Sequence, residues 1–193
     1  MGRAVGALLV MLLLACSTNA EPPPEPEVPR RFLRIGGIRA NLPSAWDPVP
    51  ARGLERLQAA ARASDPDGRM EMVAVGIDGP SPDFSLTILD LSPSRSEGLS
   101  ADHAVRAMET DLQRASAARG LTVEFESTCE ARHCDTQYTV SGNGSSQQNR
   151  VRVWRLGGQI QQRRCACVDD ACSEIDRCEL PTPPAAASPV GAS

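Results

Sequence analysis

Leu121-Thr122-Val123-Glu124-Phe125-Glu126-Ser127-Thr128-Cys129-Glu130-Ala131-Arg132-His133-Cys134-Asp135-Thr136-Gln137-Tyr138-Thr139-Val140 reads as two antiparallel strands around a short turn. Leu121, Val123, Phe125, Ser127 and Cys129 recur at period two, so they share one face of the first strand. With Cys129 opposite Cys134, Ser127 meets Thr136, Phe125 meets Tyr138 and Val123 meets Val140. The apolar partners then fall on one face, and Glu124, Glu126, Gln137 and Thr139 on the other. Apolar register and cysteine placement agree independently, which predicts a Cys129–Cys134 disulfide across the turn.

Working outward, Gly157-Gly158 is a second hairpin signal, with strands over about residues 150–167. Pairing about those glycines sets Trp154 opposite Gln161, Arg152 opposite Arg163 and Arg150 opposite Cys165. Arg150, Arg152, Trp154 and Arg163 then form a local basic patch, a candidate surface for docking a protein or an anionic ligand, with Trp154 as anchor. The competing reading, and the favoured one, is that Glu124 and Glu126 on the neighbouring hairpin neutralise these arginines.

Upstream, residues 101–119 form the clearest helix. Ser100 can cap it and Gly120 can end it. Ala101, Ala104, Val105, Met108, Leu112 and Ala115 line one face, and Asp102 and Arg106 form an i,i+4 pair on another. Leu54, Leu57 and Ala61 mark a shorter helix that stops before the turn Asp65-Pro66-Asp67-Gly68. Glu71–Ile77 and Ser85–Leu91 read as strands flanking Gly79-Pro80-Ser81-Pro82, and Phe32–Leu42 as one strand with an irregularity at Gly36-Gly37. These elements predict an α+β domain over residues 31–180: an antiparallel sheet of about five to seven strands packed on one long and one short helix. Residues 181–193 read as a disordered tail.

Beyond the helix and hairpins, the chain begins with a different kind of segment. Arg3 precedes the apolar residues 4–15, a stretch too short to span a bilayer. Leu13-Leu14-Ala15-Cys16 then places a cysteine directly after a small residue, and this resembles the lipobox of bacterial lipoproteins. The resemblance implies removal of residues 1–15, a diacylglyceryl thioether on Cys16 and further acylation, palmitate among the chains. Two or more acyl chains anchor stably where one does not. Ser17, where retained inner-membrane lipoproteins often carry Asp, points by the same resemblance to the outer membrane, with the domain facing the periplasm or the cell surface. Residues 16–30, rich in Pro and Glu, then act as an extended tether about 30–40 Å long at most.

Cys16 also sets the cysteine arithmetic. Of seven cysteines, Cys129, Cys134, Cys165, Cys167, Cys172 and Cys178 remain, an even set in an exported chain. The favoured pairing is 129–134, 167–172 and 165–178. The rival is a metal site at Cys165-x-Cys167-x4-Cys172-x5-Cys178, a spacing without the usual C-x₂₋₄-C pairs.

Composition narrows the functional classes. The formal charge is −4 with 24 acids against 20 bases, which argues against general nucleic-acid binding. Every one of those bases is Arg, so lysine Schiff-base and Walker-type phosphate chemistry are excluded. His103 beside Asp102 points a different way on its helix, and His133, in the Cys129–Cys134 turn, reads as exposed. Asp169, Asp170, Glu174 and Asp176 fit no EF-hand spacing and read as a solvated acidic loop. The sequence thus calls for no metal, cofactor or catalytic residue. It leads to a membrane-anchored, non-enzymatic binding or accessory module, with an envelope hydrolase or thiol-redox enzyme, or a purely structural lipoprotein, as alternatives. Over about residues 35–180, the order strand, Leu42-Pro43-Ser44-Ala45-Trp46, short helix, two strands, long helix and meander resembles PsbP-like proteins, including DcrB-type lipoproteins. That resemblance implies protein docking in preference to catalysis and assigns no residue a role.

Overall fold

The hairpin register read from the cysteines is the one the chain adopts. In the computed structural model, which describes residues 27–64, 69–76, 83–91 and 96–184, β6 (Thr122–Cys129) pairs with β7 (His133–Gly142). Cys129 lies opposite Cys134, Phe125 opposite Tyr138 and Val123 opposite Val140. β8 (Ser145–Leu156) and β9 (Gln159–Val168) form the second hairpin with Trp154 opposite Gln161 and Arg152 opposite Arg163. These four strands continue through β5 (Phe84–Asp90), β4 (Arg69–Gly76) and the two-residue β3 (Asp47–Pro48). The result is one antiparallel sheet of seven strands in the order β3-β4-β5-β9-β8-β7-β6. The turns at residues 65–68 and 79–82, Cys16 with the expected signal and most of the expected tether, and the residues beyond 184 lie outside the described residues.

Residues 32–42 make two strands where the sequence pattern gave one. β1 (Arg30–Ile35) and β2 (Ile38–Pro43) pair antiparallel, Ile35 opposite Ile38, around Gly36 and Gly37. Both glycines have positive φ, +48° and +84°, the geometry a two-residue hairpin needs. With β10 (Cys178–Glu179) on the other side of β2, they form a separate three-stranded sheet. A Cβ on Gly36 would overlap the Ile88 side chain, and Arg163 Nε donates to the Gly36 carbonyl at 3.1 Å. Gly36→Ala is therefore expected to cost about 1–3 kcal/mol in urea unfolding, with the left-handed backbone alone contributing at that scale. Gly157→Ala is the control: its φ is also positive, but a Cβ there meets nothing within 4 Å, so its cost should be smaller.

The large sheet is covered on both faces. On one, α2 (Ala101–Ala117) lays Val105, Met108 and Leu112 over Val151, Val153 and Ile160. Ser100 caps it by accepting from the His103 amide, and Gly120 at φ +69° follows its end. One assigned position differs: Ala115 is exposed and Ser116 is the buried residue of that turn. On the opposite face the small sheet and a 3-10 helix (Asp169–Arg177) bury Ile38, Leu42, Trp46, Phe84, Leu86 and Ile175. α1 (Ala51–Ser64) lies against β4. An antiparallel sheet with one long and one short helix is the expected α+β class; the extra small sheet is what that expectation omitted.

Three disulfides staple this arrangement: Cys129–Cys134, Cys165–Cys178 and Cys167–Cys172. The pairing is the favoured one, and it occupies all four thiols that the metal reading required. Cys165–Cys178 ties β9 of the large sheet to β10 of the small one.

Candidate functional site

Cross-strand registers resolve the covered face opposite α2 into rows. One row runs Glu126, Gln137, Arg150, Cys165, Leu86 from the β6 edge inward, and the next runs Glu124, Thr139, Gln148, Cys167, Phe84. Each row starts charged and ends apolar. The small sheet and the 3-10 helix cover the apolar ends, whereas the polar ends stay uncovered. They floor a groove of about 490 Å³, walled by Cys172, Ile175 and Asp176 of the 3-10 helix. Local pattern explains this: β6 alternates outward Glu124 and Glu126 with half-buried Val123 and Phe125, so its groove face cannot join the core.

The groove is acidic. Arg150 is its one cation among the described residues, and it is already engaged, 3.6 Å from Asp176 and donating to the Ile175 carbonyl at 3.3 Å. Glu124 and Glu126 are exposed and form no ion pair among the described residues. Gln137 stands between Glu126 and Arg150, separating them by two strand spacings, about 10 Å. These glutamates are therefore not the counter-ions of the arginine patch.

The patch itself is held from within. Arg152 grips Asp135 with two bonds, at 2.6 and 2.7 Å, and donates to the Pro181 carbonyl at 3.1 Å. Arg163 pairs with Asp90 at 3.2 Å and lies 5.1 Å over the Trp154 ring. Trp154 is only 4% exposed, so its ring cannot act as a contact anchor. Arg150, Arg152, Trp154 and Arg163 do come together, but as an internally paired cluster clamping the carboxyl-terminal segment. The like-charged pair Arg152–Arg163 is tolerated because Asp135 and Asp90 flank it.

The Arg152 hydrogen bonds hold the Asp135 carboxyl below its ordinary range, and Arg30, bonded at 2.7 Å, does the same for Glu174. A carboxylate depressed by folding stabilises the fold fully above its unfolded pKa, about 4, and that stabilisation is lost as pH falls through the folded value. Chemical unfolding should thus show stability falling below about pH 4. Asp135→Asn should lose about 1 kcal/mol or less at pH 7, since Asp135 is half-exposed, and should fall less steeply on acidification.

Other candidates disperse. His103 Nδ1 contacts the Ser100 hydroxyl at 3.0 Å while Asp102 pairs with Arg106, so no dyad forms. His133 is half-buried, not exposed, because it lies opposite Trp154 between Glu130 and Asp135. Asp169 accepts from Ser145 and the Ser146 amide, Glu174 pairs with Arg30, and Asp176 faces Arg150. The acidic loop is thus divided among separate partners.

No family model matches the chain, and no curated protein matches it.

Proposed function

We propose that the chain is a bacterial lipoprotein, anchored through Cys16, whose disulfide-stapled domain is a non-enzymatic binding module of the cell envelope. The lipobox Leu13-Leu14-Ala15-Cys16 supports the anchor. Three disulfides suit an oxidising compartment. The observation that carries the binding reading is the groove beside β6, where Glu124 and Glu126 stand exposed and without ion pairs among the described residues. A polar concavity on a rigid sheet presents fixed groups to a ligand with little ordering cost. Its charge favours a cationic or polar partner, in place of the anion that the arginine patch suggested.

Two measurements test this. Cys16→Ser should move the protein from the membrane fraction to the soluble fraction, and the wild-type amino-terminal peptide should carry the acyl mass. A variant that stays membrane-bound, or a wild-type peptide without acyl chains, contradicts the anchor. For the groove, Glu124→Arg with Glu126→Arg should abolish retention of envelope components captured by the wild-type chain. Unchanged capture contradicts the assignment of the groove.

A further inference from the structure

β6 ends the large sheet, and among the described residues no strand pairs with its outer side. An edge strand presents a row of free backbone N–H and C=O groups, and natural sheets blunt such edges with proline, bulges, very short strands or charged side chains. β6 lacks the first three, and its charges, Glu124 and Glu126, lie on the groove face alone, where they select a cationic neighbour. The strand is eight residues long, contains no proline and pairs with β7 in unbroken register from Thr122 to Cys129.

The two faces of this edge ask for different neighbours. Towards the groove it offers Glu124 and Glu126, both exposed. Towards α2 it offers Val123 and Phe125, both half-buried, with Met108 and Leu112 of α2 also only partly covered. A strand added beside β6 would alternate in the same way. Its groove-side residues would lie next to two carboxylates, and its other residues beside partly covered apolar side chains.

We propose, on the basis of the binding-module reading, that β6 takes up an extended partner segment by strand addition, and that this segment alternates basic and apolar residues. Backbone hydrogen bonds supply the attachment, and the two glutamates with the Val123–Phe125 row supply the selectivity. Charge disfavours a second copy of this chain as the occupant. Antiparallel self-pairing centred on Phe125 sets Glu124 of each copy against Glu126 of the other, and like charges directly opposite are destabilising.

The test uses the full chain in detergent and a synthetic peptide alternating Arg and Val. Its controls are the same peptide N-methylated at alternate residues and one alternating Glu and Val. The Arg-Val peptide should bind and slow exchange of those amides within residues 122–129 that do not bond to β7. N-methylation, which keeps the side chains but removes the pairing donors, should abolish both effects. Glu124→Gln with Glu126→Gln, conservative changes at exposed positions, should weaken binding roughly three- to tenfold and reduce its salt dependence.

Binding of both basic peptides without protection of β6 would overturn strand addition while leaving the groove as a binding site. Equal binding of the Glu-Val peptide, or no binding of any, would also overturn it. So would protection, in the free chain, of those β6 amides that do not bond to β7, whether at all concentrations, by another segment of this chain, or only at high concentration, by self-pairing. None of these results depends on the anchor, which the Cys16→Ser fractionation tests separately.

Discussion

Replacing Cys165 and Cys178 together by alanine should lower the unfolding free energy by about 2–5 kcal/mol, the usual cost of removing a native disulfide. Both cysteines are fully buried, and their bond is the covalent link between the two sheets. They are 13 residues apart, so the bond closes a loop whose constraint on the unfolded chain is worth about 3 kcal/mol in the chain-entropy account. It also fixes β10 beside β2, with Cys178 opposite Ala40, and so the segment whose Pro181 carbonyl Arg152 holds. Denaturant unfolding without reductant measures the loss. The double alanine variant of Cys129 and Cys134 should lose less, because that bridge is 5 residues apart and closes a hairpin already set by its register. Equal losses would mean that the inter-sheet staple has no special role.

Phe84→Ala is expected to cost about 3–5 kcal/mol, the range for deleting a buried aromatic ring. Phe84 is fully buried where the small sheet closes on the large one, 5.6 Å from the Trp46 ring. The ring fills space that neither sheet can close by moving alone, since Cys165–Cys178 and Cys167–Cys172 hold the surrounding elements. Urea denaturation measures the cost. Trp46 emission should also shift to longer wavelength in the folded variant, because water gains access to the vacated site. An unchanged spectrum with a loss below about 1 kcal/mol would place the core elsewhere.

What the sequence disclosed was local. The β6–β7 and β8–β9 registers followed from period-two alternation and turn residues, and the Cys129–Cys134 bond followed from register. The helix at 101–117 followed from its cap and apolar spacing. Gly36-Gly37 carried the same hairpin signal as Gly157-Gly158, but the weak alternation of residues 32–42 concealed it. The arginine patch was located correctly as a cluster and expected to be neutralised, but by Glu124 and Glu126 in place of Asp135 and Asp90. Its counter-ions arrive from afar: Asp90 lies 73 residues from Arg163, and Asp135 lies 17 from Arg152 on a different strand. No local pattern marks such partners. The groove was hidden for the same reason, since it exists only where the small sheet and 3-10 helix stop short of β6. One signal did point to it: Glu124 and Glu126 were on the face opposite the apolar register, and that face was assigned to neutralise arginines it does not reach.

The proposed working surface of the domain is the uncovered polar end of the sheet, along β6 and β7. A photo-reactive residue at Gln137, which is exposed in the middle of the groove floor, tests it in intact envelopes. The same residue at Ala115, exposed on α2, is the comparison. A discrete crosslinked species is expected from position 137, lost when Glu124 and Glu126 are reversed to arginine, and none from position 115. Equal crosslinking from both positions, or a species from 115 alone, would contradict it.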